Sequence, residues 1–180
     1  MGQQSLDNGG LTVLRRILLA TVTVLAPVPM ALAADTPPPC ALTLSTGSQA
    51  DFGQFRGQVL YVDFWASWCG PCLLSFPFMN ELQHAYSGKG LHVLAINMDE
   101  KPADAARFLD QHPATFDVAS GPNGKCAKDF GVATMPTSFL VDRSGVIRAV
   151  HKGFRPDDVG ELKAKLEGLI AESATAPAKP

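Results

Sequence analysis

The chain has 180 residues, 46% hydrophobic and 18% charged, with 16 Gly, 14 Pro and 4 Cys. That is more apolar than a disordered chain, lacks the every-third-residue Gly of collagen, and has too little cysteine for a small disulfide scaffold. A formal net charge of −2 without a Lys or Arg run leaves no electrostatic footprint for nucleic acid, so partners must be argued from chemistry.

Arg15 and Arg16 precede an uncharged stretch, residues 17–33 (ILLATVTVLAPVPMALA), that closes on Ala31-Leu32-Ala33. A positive flank, an apolar centre and an A-x-A end predict a secretory signal peptide over residues 1–33. The alternative is an uncleaved membrane anchor, for which the stretch is short and is interrupted by Pro27 and Pro29. The paired arginines match only part of a twin-arginine export signal. Residues 34–40 form a Pro-rich lead-in, in which Cys40 follows Pro37-Pro38-Pro39 rather than the small residues of a lipid-attachment motif. One globular domain is expected over residues 41–171. Residues 172–180, without large apolar side chains, are expected to form a disordered tail.

Within the domain, residues 59–64 (VLYVDF) and 91–96 (LHVLAI) are short runs rich in β-branched and aromatic residues, the pattern of strands buried on both faces. Residues 71–86 between them have the length of a helix. Pro102 opens a second helical segment, ADAARFLD, where its missing N–H is harmless. A third, short helix is expected over residues 124–130. Residues 137–141 and 146–151 read as strands around Asp142-Arg143-Ser144-Gly145, a hairpin turn. The spacing of Leu162, Leu166, Leu169 and Ile170 predicts a last helix over residues 157–170. This alternation implies an α/β domain with a central mixed β-sheet flanked by helices.

The chemistry is concentrated in Trp68-Cys69-Gly70-Pro71-Cys72. A strand hands over to a helix whose first turn brings two thiols three residues apart, close enough for a disulfide. Free N–H groups and the positive dipole end favour a thiolate at Cys69, while Cys72 lies one turn deeper. Cys69 is therefore expected to attack or be attacked, and Cys72 to resolve the mixed disulfide. Pro71 removes a donor and pre-sets the turn. Half of a zinc site is one alternative, but Cys40 and Cys126 do not form a second pair. A buried structural disulfide is the other.

Val62-Asp63-Phe64-Trp65-Ala66 followed by WCGPC resembles the active-site region of the thioredoxin superfamily. Pro77 stands where that superfamily kinks its active-site helix, Met135-Pro136-Thr137 resembles its cis-proline loop, and Gly153 falls near a glycine of the superfamily. The finer resemblance is to the exported TlpA, ResA and DsbE (CcmG) branch. It implies a thioredoxin fold with an N-terminal β-hairpin and a central strand-helix insertion, accommodated by the long interval between Cys72 and Pro136. It also implies a cleft carboxylate at Glu100, and client contacts at Trp68, Gly70, Pro71, Met135 and Pro136. Asp63 follows plain thioredoxin where many members of that branch carry Asn. The implied function is a periplasmic thiol:disulfide oxidoreductase, a reductant of protein disulfides in cytochrome c or oxidase maturation. The resemblance implies no cofactor beyond the Cys69-Cys72 disulfide, protein thiol or disulfide clients, and a membrane electron donor such as a DsbD- or CcdA-type reductase. Membrane association is expected only if the N-terminal segment stays uncleaved.

Other readings rest on the residues themselves. An acid inside an apolar strand is costly to ionise, so Asp63 is suited to exchange a proton with a thiol near neutral pH; the alternative is an ion pair with a lysine. Met135-Pro136 directly before a buried strand is where a cis bond would expose a backbone edge to a peptide, the alternative being a trans turn. Trp68 is expected beside the disulfide and partly exposed, Trp65 in the packing. His84, His92, His112 and His151 are scattered without metal-ligand spacing. Cys40 and Cys126 are expected to form a structural disulfide if the protein is exported, the alternative being two buried thiols. A second function class also stands: a peptide-binding or chaperone module in which Cys69 and Cys72 are a passive staple.

Overall fold

The computed structural model describes residues 1–2 and 36–172. The signal-peptide or anchor reading and the tail reading lie, except at their edges, outside the described residues. The chain divides into the units Met1–Leu32 and Ala33–Pro180, and every element below belongs to the second.

Val59–Trp65 forms β3, with all seven residues buried. Its alternation sends Tyr61, Asp63 and Trp65 to one face of the sheet and Leu60, Val62 and Phe64 to the other. The apolar members of each set belong to separate core layers. Leu91–Asn97 (β4) runs parallel to β3, and Thr137–Val141 (β6) runs antiparallel on its other side. A strand so enclosed has no solvent-facing position, which is why its sequence is continuously apolar apart from Asp63. The sheet has seven strands, in the order Gln49–Ala50 (β2), Leu42–Leu44 (β1), Asp117–Ser120 (β5), β4, β3, β6 and Ile147–Lys152 (β7). The N-terminal hairpin is formed by β1 and β2.

Among the described residues, four α-helices cover the sheet. Gly70–Tyr86 (α1) turns Cys72, Phe76, Met79 and Leu82 inward at helical spacing. Val159–Ala171 (α4) buries Leu162, Leu166 and Leu169 in the same layer, and Pro102–Gln111 (α2) adds Phe108 and Leu109 there. Lys125–Asp129 (α3) buries Cys126 and Ala127 in the opposite layer. The mixed sheet flanked by helices on both faces is the expected α/β architecture, with the expected N-terminal hairpin.

The residue pattern did not locate β5. It has four residues, polar at both ends, and is a strand because it lies between β4 (parallel) and β1 (antiparallel). The last helix begins later than expected, because Pro156–Asp158 forms a separate 3-10 turn. At the β6–β7 turn, Asp142 Oδ1 accepts from the backbone N–H groups of Ser144 and Val146, and Gly145 takes φ +80°.

Candidate active site

The CxxC motif sits where β3 hands over to α1. Cys69 is the N-cap of α1, and its Sγ accepts the backbone N–H of Cys72 at 3.2 Å. The two cysteines are joined in a disulfide, with Cα atoms 5.3 Å apart. Cys69 retains 5% of its surface and Cys72 none. When the bond is reduced, the donor already aimed at Cys69 Sγ and the helix N-terminus both favour a thiolate there, whereas Cys72 faces the core. Around the buried pair the surface is apolar and open. Trp68 is 70% exposed, and Gly70, Pro71, Leu73 and Leu74 are exposed beside it. Trp65, by contrast, is wholly buried against Phe76 and Phe108.

Asp63 is buried on the face of the sheet that α1 covers. Its Oδ1 accepts a hydrogen bond from Ser138 Oγ at 2.6 Å, and its Oδ2 has no partner among the described residues. No lysine pairs with it there, so the structure does not contain the ion pair weighed from sequence. Burial pushes its carboxyl from 3.8 up to about 7, against a smaller downward effect of the Ser138 hydrogen bond.

The segment after β4 departs from the sequence expectation. Glu100 is exposed and makes no hydrogen bond among the described residues. Its neighbour Asp99 does the structural work, accepting from Ser67 N–H at 3.0 Å, from Ser67 Oγ at 2.8 Å and from Asn97 Nδ2 at 2.8 Å. Met98 N–H donates to Trp65 O at 2.8 Å. The loop leading to Cys69 is thereby tied to the end of the adjacent strand. Asp99 was missed from sequence, yet the signal was present: it lies two residues beyond Asn97, which pairs with the last residue of β3, Trp65.

The peptide bond Met135-Pro136 is cis. Thr137 pairs with Phe64, so this loop lies at the same sheet end as the cysteines. Pro136 itself is buried and its carbonyl accepts from Gly153 N–H at 2.7 Å. Of the two residues in this loop expected to touch a client, Met135 is partly exposed and Pro136 is buried.

Cys40 and Cys126 are bonded to each other, with Cα atoms 5.4 Å apart, and both belong to the core layer on the far side of the sheet from Cys69 and Cys72. Among the described residues no cluster of His, Cys, Asp and Glu is arranged to hold a metal ion. A cavity of about 640 Å³, lined by Cys40, Asp51, Phe52, Phe55, Arg56 and Asp142 among others, contains neither residue of the CxxC motif.

The profile of the redoxin family matches residues 32–166. The chain belongs to the redoxin family. This redoxin is 36% identical over 107 residues to the thiol-disulfide oxidoreductase ResA of Bacillus thuringiensis subsp. konkukian, spanning 59% of this chain and 62% of that protein. To the ResA of Bacillus anthracis it is 33% identical over 126 residues, 69% of this chain and 68% of that one. The crystal structure of a candidate thiol:disulfide interchange protein DsbE from Chlorobium tepidum superimposes with a TM-score of 0.74 at 46% identity, covering 77% of this chain and 97% of that one. The redoxin described here is thus a thioredoxin-superfamily protein of the ResA and DsbE kind. Among its described residues no helix is long and apolar enough to cross a membrane.

Proposed function

We propose that this protein is a thiol:disulfide oxidoreductase that reduces disulfides of protein clients, with Cys69-Cys72 as its redox group. The observation that carries the reading is the CxxC pair itself: Cys69 caps α1 and accepts a backbone N–H on sulfur, with an exposed apolar surface around it. In the reductive direction the Cys69 thiolate attacks one sulfur of a client disulfide, and the other client sulfur leaves as a thiol after taking a proton from water. Cys72 gives its proton to Asp63 and attacks Cys69 Sγ. The client's remaining sulfur departs and is protonated, and Cys69-Cys72 is left oxidised. Two electrons and two protons pass to the client. Trp68, Gly70, Pro71 and Met135 form the contact surface, with Pro136 shaping the loop behind it.

The proposal extends to an exported protein working in the periplasm, re-reduced by a membrane donor of the DsbD or CcdA type and serving cytochrome c or oxidase maturation. The names of the ResA and DsbE relatives support the chemistry, and the sequence of residues 1–33 supports export. Insulin reduction by dithiothreitol tests the activity. The wild type should accelerate precipitation and Cys69→Ser should return it to the uncatalysed rate; equal rates for both would mean that the disulfide is a passive staple.

A further inference from the structure

Asp63 is not an isolated buried acid. Ser138 is its direct partner across the β3–β6 pair, and directly paired residues place their side chains on one face. Ser138 Oγ donates to Asp63 Oδ1 at 2.6 Å, and Tyr61 Oη donates to Ser138 Oγ at 2.8 Å. All three groups are buried. When Asp63 is ionised the direction of this chain follows from chemistry: the carboxylate can only accept, so the serine proton points to Asp63 and the phenol supplies the proton to serine. Burial, and then the neighbouring Asp63 charge, keep the Tyr61 phenol above its ordinary value, so it remains a donor. One carboxyl oxygen is therefore occupied and the other, Oδ2, has no partner among the described residues, on the face of the sheet whose core layer holds Cys72.

We propose that Ser138 and Tyr61 are positioning residues for proton transfer at Cys72, holding Asp63 through Oδ1 so that Oδ2 is the atom that exchanges the proton. This rests on the thiol-disulfide exchange proposed above. During resolution the Cys72 S–H bond breaks, its proton goes to Asp63 Oδ2, and the resulting thiolate forms the bond to Cys69 Sγ as the client thiolate leaves. Without the serine hydroxyl the ionised carboxyl would lose its one hydrogen bond, and Asp63 would hold its proton to higher pH.

Other ionisable groups do not supply this function. Ala95 of β4 lies opposite Asp63. His151 of β7 lies opposite Ser138 but bonds Asp158 at 3.1 Å. On the helices packed over this layer, Glu81 and His84 of α1, Arg107 and Asp110 of α2, and Glu161, Lys165 and Glu167 of α4 are exposed; Asp104 of α2 pairs with Arg107, the buried Tyr86 of α1 donates to Glu167, and the half-exposed Lys163 pairs with Glu81 at 2.8 Å.

The test is the titration of the Asp63 carboxyl, followed by carbon-13 NMR in the oxidised protein, beside the pH profile of the resolving step in stopped flow. Ser138→Ala should move the carboxyl titration upward by about 1–2 pH units. The midpoint of the resolving rate should rise equally, with its high-pH plateau kept. Tyr61→Phe, which keeps the ring, should give a smaller shift in the same direction, and Ser138→Thr should restore the wild-type midpoint. In an Asp63→Asn background Ser138→Ala should leave the resolving rate unchanged. An Asp63 titration that stays in place in Tyr61→Phe and Ser138→Ala, or an equal slowing in the Asp63→Asn background, would overturn the proposal. If Ser138→Ala does not fold, the Tyr61→Phe titration alone decides. The carboxyl measurement needs no activity, so loss of the oxidoreductase reading would show separately, in the insulin assay of the wild type.

Discussion

Asp63 sets a pH dependence of stability opposite to that of an ordinary surface carboxylate. Its carboxyl titrates near 3.8 in an unfolded chain and at about 7 in the fold, chiefly because burial disfavours the charge. Between these values the folded state binds the extra proton, so this residue's contribution is greatest below pH 4 and is lost as pH rises through about 7. The gap corresponds to roughly 4 kcal/mol across that window. Asp63→Asn should remove this slope and stabilise the protein at pH 8 by about 2–4 kcal/mol, while slowing the resolving step. Urea unfolding of both proteins from pH 4 to 8 checks this; parallel profiles would mean that Asp63 is not titrating in this range.

The β3–α1 loop is held at element scale by the neighbouring strand. Asp99 receives both the N–H and the hydroxyl of Ser67, just before Trp68 and Cys69. Asp99→Ala leaves those donors without their acceptor and frees the loop. It should lower the exchange rate several-fold and cost about 1–2 kcal/mol of stability, whereas Glu100→Ala, on the exposed side, should change neither. The Cys40-Cys126 bond acts on a different element pair, tying the segment before β1 to α3 across a sequence separation of 86. In the chain-entropy description a loop of that size is worth at most about 4–5 kcal/mol. Replacing both cysteines by Ser should therefore lower unfolding stability by about 2–4 kcal/mol, read by denaturant titration. Insulin reduction per folded molecule should be retained, because this disulfide belongs to the other core layer.

The property that belongs to the whole molecule is the direction of electron flow. Gly70-Pro71 is the dipeptide of plain thioredoxin, whose potential is roughly −270 mV, against roughly −120 mV for the oxidant DsbA. The protein should therefore equilibrate with glutathione as a reductant, below the roughly −180 mV of protein disulfide isomerase. A more positive value would make it an oxidase or isomerase and would remove the need for a membrane reductant.

Short-range physics was enough to read much of this protein. A run such as VLYVDF has the length and β-branched, aromatic content of a doubly buried strand, and WCGPC at its end carries both the disulfide and its polarity, because the helix start and the two-residue spacing are local properties. The turn at Asp142-Arg143-Ser144-Gly145 was legible for the same reason. What the tertiary structure decided is pairwise and distant in sequence. Asp117–Ser120 became a strand only because β4 and β1 flank it. Asp99, not Glu100, holds the active-site loop because parallel pairing brings the end of β4 beside Ser67. Ser138 meets Asp63 only through the register of β3 and β6, 75 residues apart. Such contacts are set by the alignment of strands, and no local pattern in the chain encodes which oxygen of Asp63 is bound and which is left free.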